Sequence, residues 1–145
     1  MTDAAQTPLL YERLGGLYGI AGAVDVLADR LYDNASANRN PHVAAFHQMK
    51  GHAGFKFLVT AWSIEATGGP ACYPGRDMRE SHAHLYVAEE EFDIVAGEIA
   101  ATLYHVGVPQ PEHGEFMAII ESYRSMVVGT PAEKADDIVA EPATF

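Results

Sequence analysis

Seven histidines lie in a chain with twenty acidic residues against nine basic ones. Neutral imidazole is a common metal ligand, so their settings matter. His82 has the most informative setting. A glycine-bearing loop from Gly68 to Gly75 leads to Asp77, a suitable helix cap, and Met78, His82 and Leu85 then share one helical face. That face can meet longer apolar stripes carrying Phe55, Val59, Trp62, Phe92 and Val95. Two readings stand side by side here. An imidazole among aromatics is commonly a packed core residue. It is equally the furnishing of a flat apolar slot with one inward nitrogen, which suits a haem: an axial ligand for iron and hydrocarbon walls for the porphyrin. His84, two residues on, should point away from His82 and face solvent.

Other chemistries find less support. There is no helical His-x-x-x-His pair for zinc, no Gly-x-Ser-x-Gly elbow and no phosphate-binding loop with lysine. The single Cys72 excludes an internal disulfide framework and reads as a bystander in a loop. Glu89-Glu90-Glu91 reads as a solvated helix start rather than a metal cluster.

The elements that must position these residues are helical. A short helix over 9–14 ends at Gly15-Gly16. Ile20, Val24, Leu27 and Leu31 form one stripe over 18–33. Asn34 to Pro41 reads as a loop, and 41–52 as room for a short helical turn. Phe55, Val59, Trp62 and Ala66 mark a helix stopped by Gly68-Gly69-Pro70. Phe92, Val95, Ile99, Leu103 and Val106 mark a long one broken by Gly107 to Pro111, and Phe116, Ile120, Tyr123 and Val127 mark the last. No strand alternation of useful length and no repeat occurs, so the expectation is an all-α domain around one core. Residues 1–8 and 129–145 are expected to be flexible ends around a domain spanning 9–128.

With 145 residues, one domain with a sizeable core is expected. A formal charge of −11 repels phosphate backbones and anionic lipid, which argues against nucleic-acid and membrane partners. The start of the chain lacks a basic region followed by an apolar one, and no apolar run approaches membrane-spanning length. With the lone cysteine, this leads to the expectation of a cytoplasmic protein.

At these residues the chain resembles the truncated haemoglobins, the small two-over-two globins. Leu10-Tyr11-Glu12-Arg13-Leu14-Gly15-Gly16 is similar to that family's opening helix and glycine corner. Gly68-Gly69-Pro70 followed by Tyr73, Gly75, Arg76, Asp77, Met78 and His82 is similar to its proximal-histidine segment, with Phe92 and Gly107-Val108-Pro109 at matching distances. The resemblance implies a two-over-two helical sandwich around haem b, with His82 as the proximal iron ligand. It implies cofactor contacts from Tyr73, Met78 and Phe92 and a propionate contact from Lys56, beside the slot residues Phe55, Val59, Trp62 and Val95. Val95, where two of the family's groups carry Trp, favours the first group.

The chain departs from the family pattern on the distal side. Ala28 occupies the position of the usual distal Tyr, Phe55 and Val59 the usual polar positions of the next long helix, and Leu58 that of a histidine found in some members. The intervening segment is longer than usual. Phe46, His47, His52 and Tyr32 are therefore candidates for the distal pocket, with His47 the candidate for a sixth iron ligand. The function implied is reversible binding of a diatomic gas, O₂, CO or NO, for transport, storage or sensing. The alternative is a haem enzyme, an NO dioxygenase or peroxidase-like catalyst using a distal His or Tyr, with a reductase as partner; no catalytic residue is assigned. A monomer or weak homodimer is expected.

Overall fold

The computed structural model describes residues 7–129. Residues 1–6 and 130–145 lie outside them, and with them nearly all of both expected flexible ends. Eight α-helices occupy the described residues: α1 (Leu10–Arg13), α2 (Gly16–Tyr32), α3 (Pro41–Met49), α4 (His52–Ala66), α5 (Met78–His82), α6 (Glu89–His105), α7 (Gln110–Ser122) and α8 (Arg124–Val127). Single 3₁₀ turns span Ala37–Arg39 and Ala83–Leu85. Extended pairing among the described residues is limited to one isolated parallel bridge, Val87 to Val128.

The corner between α1 and α2 follows from its glycines. Gly15 and Gly16 have φ of 96° and 65°, which glycine adopts at no steric cost. A Cβ on Gly19 would collide with the Leu14 carbonyl oxygen, so the close approach of the two helices needs a glycine there. Helix α2 then packs against α4 and α6, and α6 against α7. The stripe Ile20, Val24, Leu27 and Leu31 is buried as its spacing predicts.

Several boundaries differ from expectation. Asn40-Pro41, read as loop, starts a full nine-residue helix. The Asn40 side-chain oxygen accepts from the backbone N–H groups of His42 (2.9 Å) and Val43 (3.3 Å), and Pro41 sits in the first turn, where its missing N–H costs nothing. Pro111 likewise falls inside the first turn of α7 rather than in the break before it. The last long helix is interrupted at Tyr123, and Val106 is exposed beyond the end of its stripe.

The core is also divided. One cluster gathers Phe46, Leu85, Val87 and Phe92, a second Leu10, Leu103 and Phe116, and a third Ile20, Val24 and Ile64. Ile120 packs against the first two clusters and Leu14 against the last two. Phe55, Val59, Trp62, Ile99 and Ile120, which touch these clusters, also line a cavity.

Candidate functional site

That cavity has a volume of about 220 Å³ and walls that are almost wholly apolar. A smaller one of about 80 Å³ adjoins it and shares Leu27, Val59, Trp62, Ile99 and Ile120. The larger cavity brings together Phe46, His47, Phe55, Val59 and Trp62 from α3 and α4 with Tyr73, Met78, His82, Phe92 and Val95 from the segments that follow.

His82 ends α5, a helix of one and a half turns capped by the Asp77 carboxylate, which accepts from the Glu80 N–H at 2.8 Å. Its Nδ1 lies 2.9 Å from the Met78 carbonyl oxygen, four residues back, and 2.9 Å from Ser81 Oγ. The Ser81 hydroxyl is itself 3.2 Å from that carbonyl. A carbonyl only accepts, so Nδ1 carries the proton and Nε2 carries the lone pair. This is how metal-binding imidazoles are held, with one nitrogen tied to an acceptor and the other basic. Burial pushes the His82 pKa below the ordinary imidazole value; the Met78 bond partly opposes the shift and the nearby His84 adds to it.

His47 is placed by a longer chain of contacts. The Asn38 amide donates through Nδ2 to the Tyr32 carbonyl at 2.9 Å, which turns its Oδ1 toward His47 Nδ1 at 2.6 Å. The ring stacks on Tyr32 with centroids 4.2 Å apart. Burial, with a smaller contribution from His52, lowers the His47 pKa to about 4, so the ring is neutral near pH 7.

Four residues expected near the site are not among the cavity's lining. Ala28 is fully buried, while Leu27 and Leu31 form the α2 part of the wall. The Tyr32 hydroxyl donates to the Lys50 carbonyl at 3.0 Å, so Tyr32 backs His47 instead of reaching the cavity. His52 pairs with Asp29 at the surface (2.9 Å). Lys56, expected to meet a propionate, instead bonds Asp25 at 2.8 Å and Asp29 at 3.3 Å on α2. Arg76 is the charged residue that does line the cavity, beside Tyr73, whose hydroxyl donates to the Arg76 carbonyl at 2.7 Å.

His84 corrects its expectation too. It is half-buried, and its Nε2 has no hydrogen-bond partner among the described residues; the same holds for Nδ1 of the buried His42, whose ring lies 4.7 Å from that of Tyr86. The 3₁₀ turn that follows His82 replaces α-helical geometry and turns His84 inward, which two-residue spacing could not reveal. Sequence reasoning also missed Ile120 and Val127 as cavity walls, although both stood in its apolar stripes.

Residues 9–128 match the bacterial-like globin family. The chain belongs to that family. Among its relatives, a group 1 truncated haemoglobin of Synechocystis is 37% identical over 133 residues, covering 88% of this chain and 94% of the relative. One from Tetrahymena thermophila is 31% identical, covering 84% of this chain and 96% of the relative. Among solved structures, the 2/2 haemoglobin of Synechococcus in the cyanomet state with covalently attached haem aligns with a TM-score of 0.75 at 27% identity. That alignment covers 83% of this chain and 98% of the other. The Fe(III) truncated haemoglobin of Tetrahymena pyriformis aligns at 0.72 and 25% identity, covering 85% and 100%. The globin's all-α architecture is thus the two-over-two fold.

Proposed function

We propose that this globin holds haem b in the larger cavity, with His82 Nε2 as the proximal ligand, and binds a diatomic gas reversibly. Membership of the family and the truncated haemoglobin relatives support haem and gas binding. The observation that carries the residue assignment is the Met78 carbonyl fixing the tautomer of the one histidine on α5, at the wall of an apolar cavity. The residues present fit the group: hydrocarbon and aromatic walls for a porphyrin, one basic nitrogen for its iron, and Arg76 beside Tyr73 for a propionate. Bound there, haem supplies the iron at which a gas coordinates.

The chain's own residues then do three things. The Met78 carbonyl fixes the tautomer and orientation of His82, while burial favours its neutral form. Phe46, Phe55, Phe92 and Val95 exclude water. His47 stands on the α3 part of the wall, while Leu27 and Leu31 give α2 no polar group there. The described helices include none long and apolar enough to cross a membrane. Carriage, storage or sensing of a gas fits this arrangement better than turnover, because the α2 and α4 walls offer no proton donor beyond Trp62. The test is titration of the purified apoprotein with haemin. A saturable Soret band at one haem per chain is expected for the native protein, and its loss or broadening for His82→Ala. Native stoichiometry and spectra in His82→Ala would overturn the assignment.

A further inference from the structure

The polar contacts of His47 set which of its nitrogens can meet a ligand. Asn38 has two amide faces, and the one toward the Tyr32 carbonyl must be the N–H face because a carbonyl cannot donate (2.9 Å). The oxygen therefore faces His47 Nδ1 at 2.6 Å, and that nitrogen must donate. In a neutral imidazole the other nitrogen, Nε2, then has a lone pair and no hydrogen. The remaining groups around the ring leave this arrangement undisturbed. Tyr32 stacks on it with its hydroxyl committed to Lys50, and His52 lies on the Tyr32 ring with its Nδ1 committed to Asp29. With Nδ1 given to Asn38, Nε2 is the ring nitrogen that His47 has left to offer the cavity it lines. The other side chains offered there by α2, α3 and the start of α4 include Leu27, Leu31, Phe46, Phe55, Leu58 and Val59, none with a polar atom.

We propose that His47 selects the ligand class of this site: it presents a hydrogen-bond acceptor and no donor, and so favours a small ligand that still carries hydrogen when bound. Hydrosulfide and water are of this kind. O₂, CO and azide are not, and O₂ and azide would gain from a donor instead. The proposal rests on the haem-binding reading. It gives His47 a task that needs no bond to iron, and it makes Asn38 a positioning residue that acts through the imidazole.

The experiment compares two anions of equal charge on the haem-loaded ferric protein, sodium hydrosulfide and sodium azide, by spectral titration of the native chain, His47→Leu and Asn38→Leu. One neutral hydrogen bond is worth roughly two- to tenfold in affinity. His47→Leu should weaken hydrosulfide by about that factor and leave azide unchanged. Asn38→Leu frees the tautomer, lets Nε2 carry the hydrogen, and should shift the preference toward azide, a change that a merely structural role for Asn38 would not produce. Equal weakening of both anions in His47→Leu, or no change in either, would overturn the proposal. So would a low-spin ferric resting spectrum that turns high-spin in His47→Leu, since His47 would then be an iron ligand itself. Failure of the native chain to take up haemin at all would sink the haem reading instead, which keeps the two failures apart.

Discussion

The two histidines on the cavity wall are prepared by the same device and built in opposite ways. His82 gives its Nδ1 proton to a carbonyl four residues earlier on its own helix, under a cap supplied by Asp77. His47 gives its own to the side chain of Asn38, nine residues away, which is itself aimed by the carbonyl of Tyr32 on a third element. The first arrangement is local and survives as long as one short helix forms. The second depends on α2, the turn at Ala37–Arg39 and α3 keeping their places. A locally encoded site can be recognised from spacing, whereas one assembled from distant pieces can be altered without leaving a motif.

The strongest way to break the contrast is to remove the local partner. His82→Ala should cost the protein haem retention altogether, or nearly so, because no second imidazole stands on α5. Added imidazole should restore part of the Soret absorbance, and rescue of this kind separates a lost ligand from a lost fold. If the variant kept haem as well as the native chain does, His82 would be a core residue and the resemblance in its segment would have no chemical content.

A smaller effect is expected where α3 is tied to the rest of the molecule. Asn40 is 3% exposed, and its Nδ2 donates to the Leu85 carbonyl (3.0 Å) and the Glu91 carboxylate (2.9 Å) while its oxygen caps α3. Asn40→Ala removes the cap and strands the buried Leu85 carbonyl, while Glu91 keeps the Ala88 N–H at 2.8 Å, which should cost about 2–3 kcal/mol in urea unfolding of the apoprotein. In the haem-loaded variant the environment of His47 should change more than that of His82. Equal perturbation of both would mean that the two walls are not independent.

The sequence made one half of this contrast readable and hid the other. The stripes of α2, α4 and α6, the glycine corner and the Asp77 cap are local patterns, so the fold and the His82 segment could be read directly. Asn40-Pro41 misled because a loop signal and a helix start use the same residue types. The distal candidates were harder still. Ala28 sits at the expected place along α2, yet its neighbours Leu27 and Leu31 line the cavity, a rotation about the helix axis that counting cannot fix. His47, Asn38 and Tyr32 meet only through tertiary packing, and nothing in their spacing announces a hydrogen-bonded chain.

Acid offers a gentler probe of the distal half. The folded chain holds His47 at about 4 against an ordinary value of 6.5, so between those limits unfolding takes up a proton. This contribution is fully present above about pH 6.5, falls as the pH drops through the window, and changes no further below about 4. His82 and His84, also lowered by burial, act in the same direction. His47→Gln should therefore flatten the dependence of apoprotein stability on pH between 6.5 and 4 by up to about one proton. Asn38→Asp should do so differently, raising the His47 pKa by placing a carboxylate beside it, as NMR titration of the ring would record. An unchanged slope in His47→Gln would mean that the ring is solvated, and the neutral acceptor assigned to it would be lost.

The smallest expected effect belongs to Lys56, and its smallness is what makes it useful. The resemblance assigns this residue to a haem propionate; in the structure its ammonium lies between Asp25 and Asp29 on α2, at 2.8 and 3.3 Å, and Lys56 is not among the cavity's lining. Both acids are well exposed, so the attraction is screened and contributes little. Lys56→Ala should shift the unfolding midpoint only slightly, and raising the salt should erase even that difference. Haem transfer to an excess of apomyoglobin should proceed at the native rate. Arg76→Ala, by contrast, should speed it, because Arg76 and Tyr73 are the groups at the wall that fit a carboxylate. If Lys56→Ala released haem faster than Arg76→Ala, the lysine would have to leave its two aspartates when the cofactor binds, and α2 and α4 would be shown to rearrange around the haem edge.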